Sequence, residues 1–581
     1  MLPPSLFLAL LLPAFVTSTC YEPSFAHAPP TYDVSHPVLH DVFTQLHDEL
    51  TILIANPAYN STSFSVEITS SHQSLWSFHH TARERNASRP DTPKVNGDAL
   101  YRIASVTKTF TVLALLQQHA AGNLSLDDTI DKYVAELRGP QNGSIPWKDI
   151  TLRSLASQLS GIPREMAQSD LINAPWNIGH TLDEWGLPYV SRDGMIACDE
   201  YSADYSQPCT RSDLLRSVKQ GRPVYAPNQQ STYSNVAFEL LSLAIANVTN
   251  QTYESYIHDA IFEPLAMDTS TFSKPPDSAG VIPLWPHYYD VDEGVQNPTG
   301  GIYTSSKELS KFLRYILTHY NAITHAVNWM HPVSPSRDMH SFYGLPWEIF
   351  QTDRVLTNSR RTVRFVTKSG GLPGYSSLIV LVPQYDLAFT LLLAGPPDFF
   401  HSLMETTTVN MVRAAEELTV SELVDRYAGR FVAADPNLNS SIVLVADHRG
   451  LVVEQFISNS TDVLQSSLMQ YLGRPRDLSW YMQLVPTQLY RDQSAQKGEL
   501  WRMQVTAERP HGERDVWDDY CFTNTESMLY GGIPLNEVVF WKGSSGLVYD
   551  LELAGFRANL TRIFSHFSSS VHVEEQEAME L

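Results

Sequence analysis

The chain has no excess of basic residues: 40 lysines and arginines stand against 63 aspartates and glutamates, a formal net charge of −23. A surface of that sign has nothing with which to neutralise phosphates, which excludes nucleic acid and an anionic membrane as partners. Beyond the first residues there is no run of ~18 consecutive apolar residues, so no spanning helix and no membrane anchor are expected. The acidic end Glu574-Glu575-Gln576-Glu577 is unlike a lipid-anchor tail. His-Glu-x-x-His is missing and the four cysteines lack zinc-knuckle spacing, so no metal site and no cofactor are expected. Internal repeats and low-complexity tracts are missing too. With 581 residues, 43% of them apolar and 18% charged, the composition is globular and long enough for two or more domains.

What is present begins with residues 1–19, where an apolar run from Leu6 to Val16 precedes the small residues Thr17, Ser18 and Thr19. That is the layout of a cleavable signal peptide and predicts a secreted protein. Nine of the 23 asparagines stand in Asn-x-Ser/Thr: Asn60, Asn86, Asn123, Asn142, Asn247, Asn250, Asn439, Asn459 and Asn559. Glycosylation in a eukaryotic secretory route is expected from them. The cysteines Cys20, Cys198, Cys209 and Cys521 permit three pairings. Cys198 with Cys209 would close a short loop, stabilising by ~2–3 kcal/mol if unstrained, and would leave Cys20 to meet Cys521.

Along the chain, residues 36–55 read as an amphipathic helix, and 64–69 and 74–78 alternate like a strand hairpin. The stretch 100–122 is predicted to be a buried helix with Ser105 near its N-terminal end. A short helix is expected at 127–133, and residues 152–159 run into a turn at Ser160-Gly-Ile-Pro163. From 164 to 222 regular period is lost, and this stretch is read as a surface excursion or a lid over the active site. Helices are predicted at 236–247 and 305–317, and consecutive antiparallel strands at 362–369, 375–382 and 387–393. After residue 423 the texture changes to short alternating segments at 427–432, 441–446, 452–457, 501–506, 538–541, 547–553 and 559–564. These predict a separate antiparallel barrel or sandwich. The expected fold is α/β, of α+β type, with residues 20–420 as a domain whose antiparallel sheet is flanked by helices. Residues 421–581 follow as a small all-β domain.

Ser105 and Lys108 stand three residues apart, on one face of the predicted helix, so hydroxyl and amine can be neighbours. The helix start also supplies unpaired N–H groups and a positive dipole end where an oxyanion could be held. Ser-x-x-Lys alone is weak: it recurs at Ser494 and Lys497 inside a polar run, and a serine before a helix is commonly only a cap. Company changes its weight. Tyr-x-Asn occurs once, at Tyr233-Ser-Asn235, and Lys-Ser/Thr-Gly once, at Lys368-Ser-Gly370. Both lie downstream in the order that serine acyl-transfer enzymes of this type require.

On these motifs the chain resembles the superfamily of serine β-lactamases and penicillin-binding proteins, in its class C-like and esterase-like branch. Ile103-Ala-Ser-Val-Thr-Lys108, Asn123-Leu-Ser-Leu-Asp-Asp128, Ser160-Gly-Ile-Pro163, Ile261-Phe-Glu-Pro-Leu-Ala-Met267 and Gly300-Gly-Ile-Tyr303 match recurring segments of that family, over roughly residues 35 to 400. The last part resembles the lipocalin-like barrel that follows the catalytic domain in some members. The resemblance implies a β-lactamase/transpeptidase-like fold with Ser105 as nucleophile and Lys108 and Tyr233 as one coupled base. Lys368 would be the second cation that lowers the pKa of Lys108. It further implies that Asn235 hydrogen-bonds Lys108 and the acyl side chain. Lys368, Ser369 and Gly371 would bind substrate, with the N–H groups of Ser105 and Gly371 forming an oxyanion hole. The expected partner is a small-molecule or peptide-like acyl substrate.

The reaction expected is hydrolysis of an ester, amide or lactam through an acyl-serine. An acyltransferase would share the first half-reaction, and a catalytically inactive binding protein is the alternative from another class. The intact Ser, Lys, Tyr and Lys set argues against the last. Without Gly-x-Ser-x-Gly anywhere in the chain, an α/β-hydrolase is disfavoured.

Overall fold

The computed structural model describes residues 20–564, except 23–24, 140–141, 167–181, 192, 194–195, 197, 199–206, 320–327, 476–477, 510–519, 522–524 and 526–527. The expected signal peptide, the acidic end and much of the 164–222 stretch thus lie outside the described residues. The chain divides into two compact units: Thr31–Val355 with Thr362–Ala415, and Met1–Pro30 with Leu356–Arg361 and Glu416–Leu581.

In the first of these, α1 (Pro37–Ile54) precedes a hairpin of β1 (Ser63–Thr69) and β2 (Ser74–His80), and β3 (Leu100–Arg102) leads towards α2 (Thr107–Ala120). Then come α3 (Leu152–Ala156), α4 (Arg211–Gln220), α5 (Val236–Thr249), α6 (Tyr253–Ile257) and α7 (Asn297–Gly300), followed by β4 (Tyr303–Ser305) and α8 (Ser306–His319). Strands β5 (Ser334–Pro335), β6 (Ser341–Tyr343), β7 (Glu348–Thr352), β8 (Val363–Leu372), β9 (Tyr375–Val382) and β10 (Leu387–Ala394) precede α9 (Asp398–Arg426), whose residues from Glu416 onward are counted with the second unit. The main sheet runs β2-β1-β10-β9-β8-β7-β6-β5, with every neighbouring pair antiparallel.

The period of two in β1 sorts the layers. Phe64, on one face, packs against Phe399 of α9 at 5.2 Å between ring centres. Beside it in the sheet, Trp76 stacks on Phe43 of α1 at 6.3 Å. The odd residues point the other way: Glu67 accepts from Ser306 of α8 at 3.4 Å, and Ser65 lies 3.1 Å from the Tyr101 hydroxyl. Helices therefore cover both faces, which is why all eight residues of β10 are buried and read as an unbroken apolar run rather than an alternating one.

Helix α2 lies inside this arrangement. Phe110, Val112, Leu113, Leu115 and Leu116 cover most of its circumference and all are buried, Phe110 stacking on Phe312 of α8 at 4.0 Å. The expected helix 100–122 is in fact a strand, a single 3₁₀ turn at Ala104–Val106, and then α2. Strand β3 exists because Leu100, Tyr101 and Arg102 pair with Ser305, Thr304 and Tyr303, a partnership across two hundred residues that local periodicity does not contain.

Two other expectations need correction. The short helix expected at 127–133 is one 3₁₀ turn, Ile130–Lys132. The 164–222 stretch, read as having no period, contains α4, which buries only Leu214, Leu215 and Val218. Its sequence signal was the reciprocal cap, with Thr210 and Asp213 bonding each other's backbone N–H groups at 2.9 and 3.4 Å. Cys198 is bonded to Cys209.

In the second unit eight of the strands among the described residues follow one another in simple up-and-down order: Gly429–Ala433, Ser441–Asp447, Gly450–Ser458, Trp480–Asp492, Lys497–Ala507, Glu537–Lys542, Val548–Leu553 and Ala558–Ile563. Each pairs with the next, and the last pairs with the first, so the sheet closes into a barrel. Closure leaves these strands no open edge. Phe431, Leu444, Phe456, Leu484, Trp501, Phe540 and Leu560 fill its interior. Strand Trp480–Asp492 was not anticipated, because Pro486 and the register shift that follows it break the alternation. Within this unit Cys20 is bonded to Cys521. Among the described residues no helix is long and apolar enough to cross a membrane.

Candidate active site

Ser105 sits in the 3₁₀ turn between β3 and α2. The residue before it, Ala104, has φ +47°, a left-handed conformation that is uncommon for a residue with a Cβ. Two contacts hold it there. Ile103 N donates to the Ile302 carbonyl at 3.1 Å, and the Ile103 carbonyl accepts from Ser377 Oγ of β9 at 2.7 Å. The end of β8 presses on the same turn, and a Cβ at Gly370 would stand 2.4 Å from the Ile103 carbonyl and 2.9 Å from Ser105 N. Glycine in Lys368-Ser-Gly370 is thus required by close backbone approach.

One helical turn onward, Lys108 Nζ donates to Ser105 Oγ at 3.0 Å and to the Thr299 carbonyl at 2.9 Å. Its side chain is fully buried. Burial pulls its pKa below the ordinary lysine value and the Lys368 charge assists, while Tyr233 opposes. Tyr233, just before α5, has its ring centre 5.2 Å from Lys108 Nζ and 5.3 Å from Lys368 Nζ. Burial works against ionising the phenol, but the two ammonium groups outweigh it and hold its pKa below the ordinary tyrosine value. A neutral Lys108 amine or a Tyr233 phenolate can therefore accept the Ser105 proton.

Lys368 lies on the buried face of β8. Its Nζ is 2.6 Å from Glu348 Oε1, and the other oxygen of Glu348 accepts from Ser369 N at 3.0 Å and Ser369 Oγ at 2.6 Å. Gly371, two residues beyond Ser369 on the strand, is exposed, and a Cβ there would meet nothing within 4 Å. One expected contact is not made. Asn235 Nδ2 donates to Glu165 Oε1 at 2.6 Å, and its Oδ1 is buried without a donor among the described residues instead of receiving a bond from Lys108.

The β-lactamase family model matches residues 72–407, and a model described as Beta-lactamase-like-like, C-terminal domain, matches 420–563. The chain belongs to the β-lactamase family. Probable hydrolase clz13 of Cochliobolus lunatus is 30% identical over 564 residues, which cover 92% of this chain and 90% of its own. Probable hydrolase M10 of a Phoma species is 31% identical, covering 90% and 88% respectively. Among solved structures, a β-lactamase/D-alanine carboxypeptidase from Yersinia pestis is similar at 19% identity and a TM-score of 0.48, over 65% of this chain and 99% of that one.

In this β-lactamase-like chain the fold brings Ser105, Lys108, Tyr233, Asn235, Lys368 and Ser369 into one connected group. Two carboxylates that sequence reasoning did not single out join it. Glu165 stands one residue beyond the Ser160-Gly-Ile-Pro163 turn, and Glu348 begins a strand whose register sets it opposite Thr367, beside Lys368. Neither carried a sequence signal of its own: Glu165 lies at the start of the stretch that loses regular period, and strand β7, which Glu348 begins, was not anticipated. Away from this group, the described residues hold one set of potential metal ligands, His258, Asp259 and Glu263, all exposed, with His258 Nδ1 3.1 Å from its neighbour Asp259.

Proposed function

We propose that this chain is a serine hydrolase that cleaves an ester, amide or lactam through an acyl intermediate on Ser105. The observation that carries the reading is the 3.0 Å contact between Lys108 Nζ and Ser105 Oγ, with Tyr233 between two ammonium groups. The Lys108 and Tyr233 unit takes the Ser105 proton as Oγ attacks the carbonyl carbon. The backbone N–H groups of Ser105 and Gly371 receive the oxyanion, each such donor lowering the barrier by ~2.7–4 kcal/mol. Collapse breaks the bond to the leaving alcohol or amine, which departs with the proton. Water, deprotonated by the same unit, then attacks the acyl-serine, releasing the acid and restoring the Ser105 hydroxyl.

The protein acts outside the cell as a glycoprotein in this reading. Supporting it are the leader-like residues 1–19, the two disulfides, and the exposure of eight sequon asparagines, all but the half-buried Asn60.

The test is intact mass of the purified protein after brief exposure to an activated aryl ester and, separately, to a β-lactam, with Ser105→Ala in parallel. A mass gain that maps to Ser105 and vanishes in the variant is expected. If neither reagent labels and no product forms faster than in the variant, the reading fails.

A further inference from the structure

In the second unit four large side chains stand together in solvent: Tyr471 is 51% exposed, Met528 50%, Leu529 57% and Tyr530 65%. They border one cavity of about 440 Å³, walled also by Leu468 and Phe556. Soluble proteins seldom leave apolar side chains clustered in this way unless something binds there. The cavity is built by the short helix Leu468–Tyr471, the hairpin of Leu529–Tyr530 with Ile533–Pro534, and the 3₁₀ turn Ala554–Phe556. Tyr530 pairs with Ile533, so the hairpin reverses over Gly531 and Gly532 alone, at φ +58° and +79°. Phe556 separates the cavity from the barrel interior, packing edge-on at 4.8 Å against Phe456, one of the side chains that fill the barrel. Arg557 follows directly on that turn and is exposed. Its Nη1 donates to the Gly555 carbonyl at 2.7 Å and its Nη2 to the Tyr530 carbonyl at 2.8 Å, and its guanidinium carbon lies 4.8 Å from the Tyr530 ring centre. Gly555 and Tyr530 both line the cavity, so the cation is fixed at its edge. Of the five guanidinium N–H groups three remain, and no carboxylate among the described residues meets them.

We propose that this cavity binds a free single-chain fatty acid, its tail lying among Leu468, Leu529 and Phe556 and its carboxylate meeting Arg557. The planar guanidinium offers parallel N–H groups that match the two oxygens of a carboxylate, which a neutral head group cannot engage in the same way. A cavity of this size stands near the lower end of the range for ligand sites, which suits one chain and not the two of a membrane lipid. The acidic surface of the whole chain also speaks against an anionic bilayer as the source of the tail. This site does not depend on the acyl-Ser105 reading.

The experiment is calorimetric titration of the full-length protein at pH 8 with octanoate, decanoate and 1-decanol, each below the concentration at which it aggregates. Decanoate is expected to bind at one site, and octanoate roughly tenfold more weakly, since each CH₂ that is buried is worth up to about fourfold. Decanol is expected to bind at least about tenfold more weakly than decanoate, the range of hydrogen bonds between charged partners. Arg557→Gln should abolish the preference for acid over alcohol, and Arg557→Lys, which keeps the charge without the fork, should retain part of it. Leu529→Asp, at an exposed position, should weaken decanoate by roughly tenfold or more, with circular dichroism as the folding control. A photoreactive diazirine analogue of decanoic acid is expected to label residues 468–471 or 528–535. Lack of saturable binding, equal binding of acid and alcohol, an undiminished preference in folded Arg557→Gln, or labels that map elsewhere, the surroundings of Ser105 included, would each overturn the proposal.

Discussion

The carboxylate of Glu348 stands 2.6 Å from the ammonium of Lys368. Burial disfavours the charge on Lys368, but Glu348 and Tyr233 more than offset this and hold its pKa above the ordinary value. Glu348 thereby keeps a permanent cation beside the Tyr233 phenol. Its own negative charge also opposes ionisation of that phenol. Glu348→Gln separates the two effects. The acid limb of kcat/KM against pH is expected to move to lower pH, because the phenol loses a repelling neighbour. The plateau is expected to fall about tenfold as Lys368 loses its anchor. A limb that stays in place or moves upward would refute the assignment of Glu348.

The proposed acylation of Ser105 requires the base form of the Lys108 and Tyr233 unit. Both groups are held below their ordinary values, so the rate of Ser105 labelling should rise with pH and level off below the range where free lysine and tyrosine titrate. Lys108→Met, which keeps the buried volume apolar, should lower labelling by roughly 10²–10⁴-fold without unfolding the protein. Stopped-flow acylation across pH, with circular dichroism as the folding control, checks both outcomes.

Gly370→Ala places a methyl carbon 2.4 Å from the Ile103 carbonyl and 2.9 Å from Ser105 N. Both are backbone atoms and neither can rotate away, so β8 must retreat from the Ser105 turn. A stability loss of about 1–3 kcal/mol is expected. The drop in acylation should be larger than that loss alone predicts. Denaturant melts alongside ester turnover would show it, and an unchanged kcat would count against the close approach.

In the other unit, Glu416 pairs with Arg361 and lies 3.1 Å from His27. Burial raises the Glu416 carboxyl, but hydrogen bonding to His27 and the Arg361 charge outweigh it and bring the pKa from 4.5 down to about 2. A carboxyl lowered on folding stabilises above its unfolded value, and that contribution fades as pH falls from about 4.5 towards 2. Glu416→Gln should cost roughly 3 kcal/mol at neutral pH, since it removes a buried charge that Arg361 and His27 both meet, and much less near pH 2. Urea unfolding of both proteins at the two pH values is the measurement.

Much of the site could be read from the chain. Ser105 and Lys108 are one helical turn apart, and the strands 375–382 and 387–393 announced themselves by apolar run and turn. Lys368-Ser-Gly370 stood at a strand end, where its lysine could turn inward. Other elements could not be read because their causes are distant. Strand β3 depends on β4, and the barrel strand Trp480–Asp492 is interrupted at Pro486. The Asn235 contact was misassigned because an amide can donate or accept, and only the neighbouring carboxylate decides which.

The sequence by itself determined the spacing of Ser105 and Lys108, the order of Tyr233 and Lys368 behind them, and the change to short alternating strands after residue 423. These are local properties, set by helical and strand periods that act over a few residues. Tertiary structure decided the charge and hydrogen-bonding character of the site. Glu348 reaches Lys368 through strand register, Glu165 reaches Asn235 through the cap on α5, and Lys108 is held low by burial among elements far apart in sequence. Electrostatics depends on distance and solvent exclusion in three dimensions, and neither is written in the linear spacing of the residues.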